Sequence, residues 1–333
     1  MHELSVAPMM NCTDRHARAF LRCVTKHTRL YTEMIVADAV VRGDRQRLLA
    51  FDETEHPVAL QIGGCDPGTL AVAARIGEDF GYDEINLNVG CPSSRVRSGR
   101  FGAALMAHAG LVEACVAAMR DAVSVPVTVK CRIGIDAMDE EGTLAAFMTT
   151  VAGSGCTTFI VHARKAYLNG LSPKANREVP PLRHDVVHDT KRRFPDFDII
   201  INGGIRDLAS ASHHLDHVDG VMIGRAAYRS PYMLAEADRL IFGIDEAPME
   251  RCGIVLSWLP YLEEHLAKGV PLARMSRHMT GLYHGEPGAR TWRRLLTEGA
   301  SRPSAGVTTI REILERVEDG RQAPAHAGAW QQA

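Results

Sequence analysis

Cys91 stands between a glycine and a proline in the run Asn88-Val89-Gly90-Cys91-Pro92-Ser93-Ser94. Flanking Gly and Pro make a loop the expected setting. A free cysteine is most often a small buried apolar residue, but one held in a loop beside polar groups is available for chemistry. An unperturbed thiol, with a pKa of about 8.5, is mostly protonated at neutral pH, so its natural role is to donate a proton. No histidine nearby in sequence supplies the partner that a nucleophilic cysteine needs. The stretch that follows, Arg95-Val96-Arg97-Ser98-Gly99-Arg100-Phe101-Gly102, is basic and glycine-rich. It fits either a mobile loop closing over a polyanion or a solvent-exposed linker.

Five further polar residues end short β-branched runs: Gln61, Asn88, Lys130, His162 and Asn202. Each alone reads as a strand cap or a satisfied polar group. Five at equivalent positions describe one polar ring, suited to a flat, hydrogen-bonding cofactor. Asn202-Gly203-Gly204-Ile205 and, about twenty residues later, Gly224-Arg225 add two places where backbone N–H groups can approach an anion. Arg225 would supply a charge-assisted bond. A lone Gly-Gly is an ordinary turn; the two elements on successive runs point to a phosphate site.

The elements that must position these residues form a regular series. The runs are Leu4–Pro8, Tyr31–Met34, Val58–Ile62, Glu84–Asn88, Val125–Lys130, Thr158–His162, Asp198–Asn202 and Val218–Gly224, alternating with amphipathic stretches such as Pro67–Phe80, Gly110–Val123 and Leu208–Leu215. Eight strand-then-helix units of this size predict a (β/α)8 TIM barrel, in which the strand C-termini carry the chemistry. A doubly wound open sheet would call for a G-x-G-x-x-G turn after the first strand, and none is present. The barrel is expected over residues 1–243. Residues 247–318 show helical periods punctuated by Pro248, Pro260 and Pro287, and are read as a small helical domain; the Ala-, Gln-, Gly- and Pro-rich tail 322–333 is expected to be disordered.

A chain with 46% apolar and 23% charged residues has the balance of a soluble globular protein. It has no apolar stretch of membrane-spanning length, no signal-peptide pattern at its start, and hence no expected membrane partner. The eight cysteines include no C-x-x-C pair, which argues against a zinc site and a disulfide framework and for a reducing cytoplasm. Net charge is −2, low for a protein that grips nucleic acid over its whole surface. Positive charge is concentrated in residues 271–303, where Arg274, Arg277, Arg290, Arg293, Arg294 and Arg302 face only Glu286 and Glu298. That cluster is either a solvated helical face or an RNA contact.

Several runs together resemble one family. Ser5-Val6-Ala7-Pro8-Met9-Met10 with Thr13-Asp14-Arg15, the Asn86–Pro92 segment, and Val129-Lys130 with Arg132-Ile133-Gly134 are similar to the tRNA-dihydrouridine synthases. His162–Ala166, Leu171–Lys174, Asn176–Glu178, Arg277–Met279, Pro287–Arg290 and Trp292–Arg294 resemble the A subfamily. The resemblance covers nearly the whole chain and implies the following. FMN would sit on the barrel, lined by the backbone of Pro8, Met9 and Met10. Gln61 and Lys130 would bond the isoalloxazine edge. His162, Asn202, Gly203, Gly204, Gly224 and Arg225 would hold the ribityl phosphate. NADPH, with NADH as the alternative, would reduce the flavin; hydride would pass to C6 of a uridine of the tRNA D loop, at positions 20 and 20a, and Cys91 would protonate C5. Asn88 would help place the base, and Lys174, Arg177, Arg277, Arg290 and Arg293 would contact the tRNA. A monomer is expected. Two competing readings use the same features: a flavin-dependent reductase of free pyrimidines, and an RNA-binding chaperone with a structural flavin.

Overall fold

The computed structural model describes residues 3–322. Nine parallel strands are present: β1 (Leu4–Val6), β2 (Arg29–Tyr31), β3 (Ile35–Val36), β4 (Val58–Gly63), β5 (Glu84–Asn88), β6 (Val127–Arg132), β7 (Thr158–His162), β8 (Asp198–Asn202) and β9 (Gly220–Ile223). Strand β9 pairs with β1, β1 with β2, and β2 with β4, and the pairing then runs in order through β5 to β9. The sheet therefore closes on itself, with β3 an extra two-residue pairing on the end of β4. This is the expected (β/α)8 barrel, followed by helices at the C-terminal end.

Local chemistry explains the alternation. Asp14, Asp66, Asp139 and Asp207 each end a βα loop and accept the backbone N–H of the third residue of the next helix, at 3.0, 2.8, 2.5 and 2.7 Å. Such caps satisfy donors that the first helical turn leaves free. Between strands and helices lies a continuous apolar layer, including Leu60, Ile85, Leu87, Val129, Phe159, Ile199, Ile201 and Val221. Side chains two residues apart along a strand share a face, so the other set fills the interior. There Ala7, Tyr31, Ala59, Ile160, Ile200 and Met222 form a separate buried apolar cluster.

Three expectations are corrected, and a fourth falls mostly outside the described residues. The second strand is Arg29–Tyr31, not Tyr31–Met34: Thr32 turns its hydroxyl to accept the Gln61 amide at 3.0 Å, and the chain leaves the ladder before β3. The fifth run starts at Val127 because Pro126 has no N–H to give; only its carbonyl takes part, accepting from Ile85 N at 3.0 Å. Pro260 lies inside the helix Arg251–Ala267 and does not end it; the burial of Trp258, Leu259 and Leu262 around it offsets the lost hydrogen bond. The tail expected from Gln322 onward lies outside the described residues except for Gln322, which is the last residue of the helix Val307–Gln322.

The C-terminal helices dock on the first barrel helix, Arg15–Val24. Trp258 packs against Phe20 with ring centroids 5.0 Å apart, and Tyr261 OH lies 2.7 Å from His16 Nδ1. Trp292, fully buried, donates its indole N–H to Met279 O at 2.9 Å and so fixes the helix Ala289–Ala300 to the segment before it. No helix among the described residues is long and apolar enough to cross a membrane. Trp292→Ala is expected to lower stability by about 3–5 kcal/mol, the usual cost of emptying a buried aromatic site. Urea denaturation checks this, and an unshifted midpoint would remove Trp292 from the core.

Candidate active site at the barrel mouth

The period-two rule delivers the polar strand ends to one place. Gln61, Asn88, Lys130, His162 and Asn202 all belong to the inward-facing set, at the C-terminal ends of β4 to β8. Four polar residues below the mouth tie the ring down, and sequence reasoning did not single them out for it: Tyr31, Glu84, Asn86 and Thr128. Tyr31 OH and Thr128 Oγ1 both donate to Glu84 Oε1, at 2.7 and 2.5 Å. Asn86 Nδ2 donates to Thr128 Oγ1 at 2.7 Å, and Gln61 Nε2 to Asn86 Oδ1 at 2.7 Å. Asn88 Nδ2 donates to Gln61 Oε1 at 2.8 Å. The amides of Gly90 and Cys91 then donate to Asn88 Oδ1, at 3.2 and 3.0 Å. Every donor points down the barrel toward one buried carboxylate, which fixes the orientation of all three side-chain amides.

The ladder ends at the backbone of the thiol residue. Cys91 is half-buried at the mouth. Its loop is held from three more directions: Val89 N donates to Lys130 O at 2.7 Å, Arg132 Nε to Gly90 O at 2.9 Å, and Ala103 N to Cys91 O at 2.9 Å. Gly102 has φ +70°, and a Cβ there would meet Cys91 O at 2.5 Å, so only glycine lets the chain pass. The basic segment after Cys91 is not extended. It folds into a short helix, Ser94–Ser98, with Phe101 buried under β4 against Gly63.

Beside the thiol loop, on the adjoining strands, the mouth is strongly cationic. Lys130 Nζ donates to Asn202 Oδ1 at 3.0 Å, and Asn202 Nδ2 to Met222 O at 2.7 Å. Burial, then the charge of Arg132, pushes the Lys130 ammonium down to about 8. Burial likewise drives His162 well below its ordinary range, with Arg132, Lys130, Arg164 and Arg177 adding to the effect. His162 is therefore neutral at pH 7, and its Nδ1 is a buried ring nitrogen with no protein partner among the described residues. Beside it Gly203 and Gly204 adopt φ +113° and +79°, and a Cβ on Gly203 would lie 3.3 Å from the imidazole. A neutral histidine with an unfilled hydrogen-bonding site, a two-glycine cradle and surrounding cations fit a bound anion.

The other expected residues are distributed as follows. Pro8 and Met9 are half-buried at the mouth and Met10 is exposed. Gln61 and Asn88 each spend part of their bonding capacity in the ladder, leaving one amide hydrogen apiece. Gly224 precedes the five-residue helix Arg225–Arg229. Arg225 does not point free into the cradle; its Nη1 pairs with Glu178 Oε1 at 2.9 Å. Lys174 and Arg177 are exposed on the loop after β7. Arg290 and Arg293 are exposed on the helix Ala289–Ala300 and pair with no carboxylate among the described residues. Arg277 does not stand among them as a free cation: its Nη2 lies 2.6 Å from Asp14 Oδ2.

Fold and site together define a (β/α)8 barrel whose mouth carries both a held thiol and an anion cradle. The chain belongs to the dihydrouridine synthase family, whose model, described as "Dihydrouridine synthase (Dus)", matches residues 5–318. It is 52% identical over 321 residues to the tRNA-dihydrouridine(20/20a) synthase of Salmonella typhimurium, covering 96% of each chain. It is 54% identical over 315 residues to the protein of that name from Synechocystis, covering 95% of this chain and 94% of the relative. It is 52% identical over 318 residues to that of Escherichia coli K12, covering 95% and 92%.

The low Lys130 pKa makes a pH prediction for the cofactor-free protein. A lysine whose folded pKa lies below its ordinary 10.5 makes the folded state less stable while charged. That cost is fully present below pH 8 and disappears as pH rises from 8 toward 10.5. Lys130→Met is therefore expected to melt above the wild type at pH 7, with the gap closing across that window. A melting difference that does not change with pH would show that Lys130 is not held in a cation-unfavourable site.

Proposed function

We propose that this chain is an FMN-dependent tRNA-dihydrouridine synthase, reducing the C5–C6 bond of uridines 20 and 20a of the D loop. The observation that carries the reading is the thiol of Cys91 held by the Asn88 ladder at the rim of a mouth that also contains an anion cradle. The names of the similar proteins support the substrate and the positions.

In this reading the cradle of His162, Asn202, Gly203, Gly204 and Gly224 holds the ribityl phosphate, with the unfilled His162 Nδ1 finding its partner there. Arg225 joins them by exchanging Glu178, a half-exposed ion pair of the kind that contributes little and competes poorly with phosphate. Pro8, Met9 and Met10 line the isoalloxazine through their backbone, and Gln61 and Lys130 meet its edge. When bound, FMN reduced by NADPH (or by NADH) supplies the hydride for C6 of the uracil. Lys130, cationic at neutral pH, stabilises negative charge on that ring system. Cys91 Sγ carries the proton for C5. Asn88 fixes the Cys91 backbone and offers its remaining amide hydrogen to the base. A uridine in folded tRNA must be swung out to reach this depth. Lys174, Arg177, Arg290 and Arg293 grip the phosphates that stay outside, making binding salt-dependent; Arg277 contributes through the exposed part of its guanidinium. The helices of residues 247–318 serve as the tRNA-binding domain. The eight free cysteines accord with a reducing cytoplasm, and we expect the enzyme to act as a monomer.

Cys91→Ala is expected to remain yellow and bind tRNA while forming dihydrouridine about 10²–10⁴-fold more slowly, the usual value of one placed proton donor. Mass spectrometry of D-loop fragments from unmodified tRNA is the readout; wild-type product would exclude the thiol from the reaction. Free uracil reduced as fast as tRNA would overturn the substrate assignment.

Arg290→Ala and Arg293→Ala are each expected to weaken tRNA binding and lower the steepness of its salt dependence by about one phosphate contact, with FMN content at the wild-type level. Filter binding across a salt series tests this, and an unaltered slope would place the RNA on another face.

A further inference from the structure

The segment Arg277–Met279 lies far along the chain from the barrel's first loop, yet its side chains meet it. His278 is 3% exposed. Its Nε2 lies between Asp14 Oδ1, at 3.0 Å, and Arg277 Nε, at 3.1 Å, and its Nδ1 lies 3.3 Å from Tyr228 OH. Arg277 Nη2 takes the other Asp14 oxygen at 2.6 Å. Asp14 also caps the helix Arg15–Val24, so three separate groups converge on its carboxylate. Burial opposes the charged form of Asp14, yet the bonds from His278, Ala17 and Arg277 hold its carboxyl well below the usual range.

What Asp14 and Tyr228 belong to gives these contacts their meaning. Asp14 ends the turn that begins at Pro8. Within that turn the amides of Cys12 and Thr13 both donate to Met9 O at 3.0 Å. The hydroxyl of the fully buried Thr13 accepts from Met9 N at 3.0 Å. Displacing Asp14 therefore displaces the Met9 backbone. Tyr228 lies on the helix Arg225–Arg229, which starts directly after Gly224. One buried imidazole from the C-terminal helices thus spans the two segments that, in the reading above, hold opposite ends of the cofactor.

We propose that His278, seconded by Arg277, is a positioning residue for FMN: it locks the turn of residues 8–14 to the helix Arg225–Arg229 and so sets cofactor affinity. This rests on the flavin reading. Without the imidazole, the Asp14 carboxylate loses one partner and the half-buried Tyr228 hydroxyl loses its own, and both relax toward solvent. The C-terminal helices then serve the cofactor as well as the RNA.

The test is FMN titration of cofactor-stripped protein, followed by flavin fluorescence, for wild type, His278→Ala, His278→Gln and Tyr228→Phe, alongside thermal melts of the same apo samples. His278→Ala is expected to raise the FMN Kd about tenfold, as the loss of a buried hydrogen-bonded group implies. Tyr228→Phe, which keeps the ring and removes only the hydroxyl, is expected to raise it about threefold with an unchanged melt. His278→Gln, whose amide offers both a donor and an acceptor, is expected to recover most of the affinity. A purely structural role would lower the melting temperature and leave the Kd alone, and that result overturns the proposal. Should His278→Ala fail to fold, Tyr228→Phe decides by itself. Wild-type apo protein that takes up no FMN overturns the flavin reading and this inference with it; tight wild-type uptake with unaltered variants overturns this inference alone.

Discussion

The mouth of this barrel depends on a buried carboxylate several residues below it. Glu84, 1% exposed, accepts from Tyr31 and Thr128. Because a carboxylate offers only acceptors, every group stacked above it must donate downward. That single polarity propagates through Asn86, Gln61 and Asn88 and emerges as two backbone amides fixed on Asn88 Oδ1. Buried hydrogen bonds chained in this way polarise one another and resist rearrangement. Cys91 is placed by the barrel interior, through its own backbone, more than by the loop that carries it.

Charge is separated along the same axis. The Glu84 carboxylate near the floor faces Arg29 at 3.6 Å, whereas the cations Lys130 and Arg132 lie at the rim, where they act on His162. A rim of this kind favours negative charge developing above it and disfavours a second proton on the imidazole. The neutral histidine and the low Lys130 pKa come first from burial and then from the neighbouring cations that the strand ends bring together.

Much of this was legible in the chain itself. Eight β-branched runs at regular spacing gave the barrel, and the polar residue closing each of five runs gave the ring, because strand periodicity and the barrel's chemical polarity are both local rules. The supporting role of Glu84, Asn86 and Thr128 was not legible, since a polar residue inside a strand has no periodic mark telling a solvent face from a barrel interior. Strand β2 was misplaced by two to three residues because Tyr31-Thr32-Glu33-Met34 has good strand propensity, and only the tertiary bond from Gln61 to Thr32 shows where pairing stops. Arg225 and Arg277 read as free cations; their partners Glu178 and Asp14 lie 47 and 263 positions away, beyond any rule of spacing. The thiol's loop setting was visible from Gly90 and Pro92, whereas what holds it was not.

The pairing of Asp14 with Arg277 has a temporal corollary. During synthesis the N-terminal end emerges first, and a nascent chain reaching Leu240 already contains every stave of the cylinder. It still lacks the cation and the imidazole that engage Asp14. The contacts that fix the first loop at the rim are therefore the last to become available, after every strand of the wall has been made.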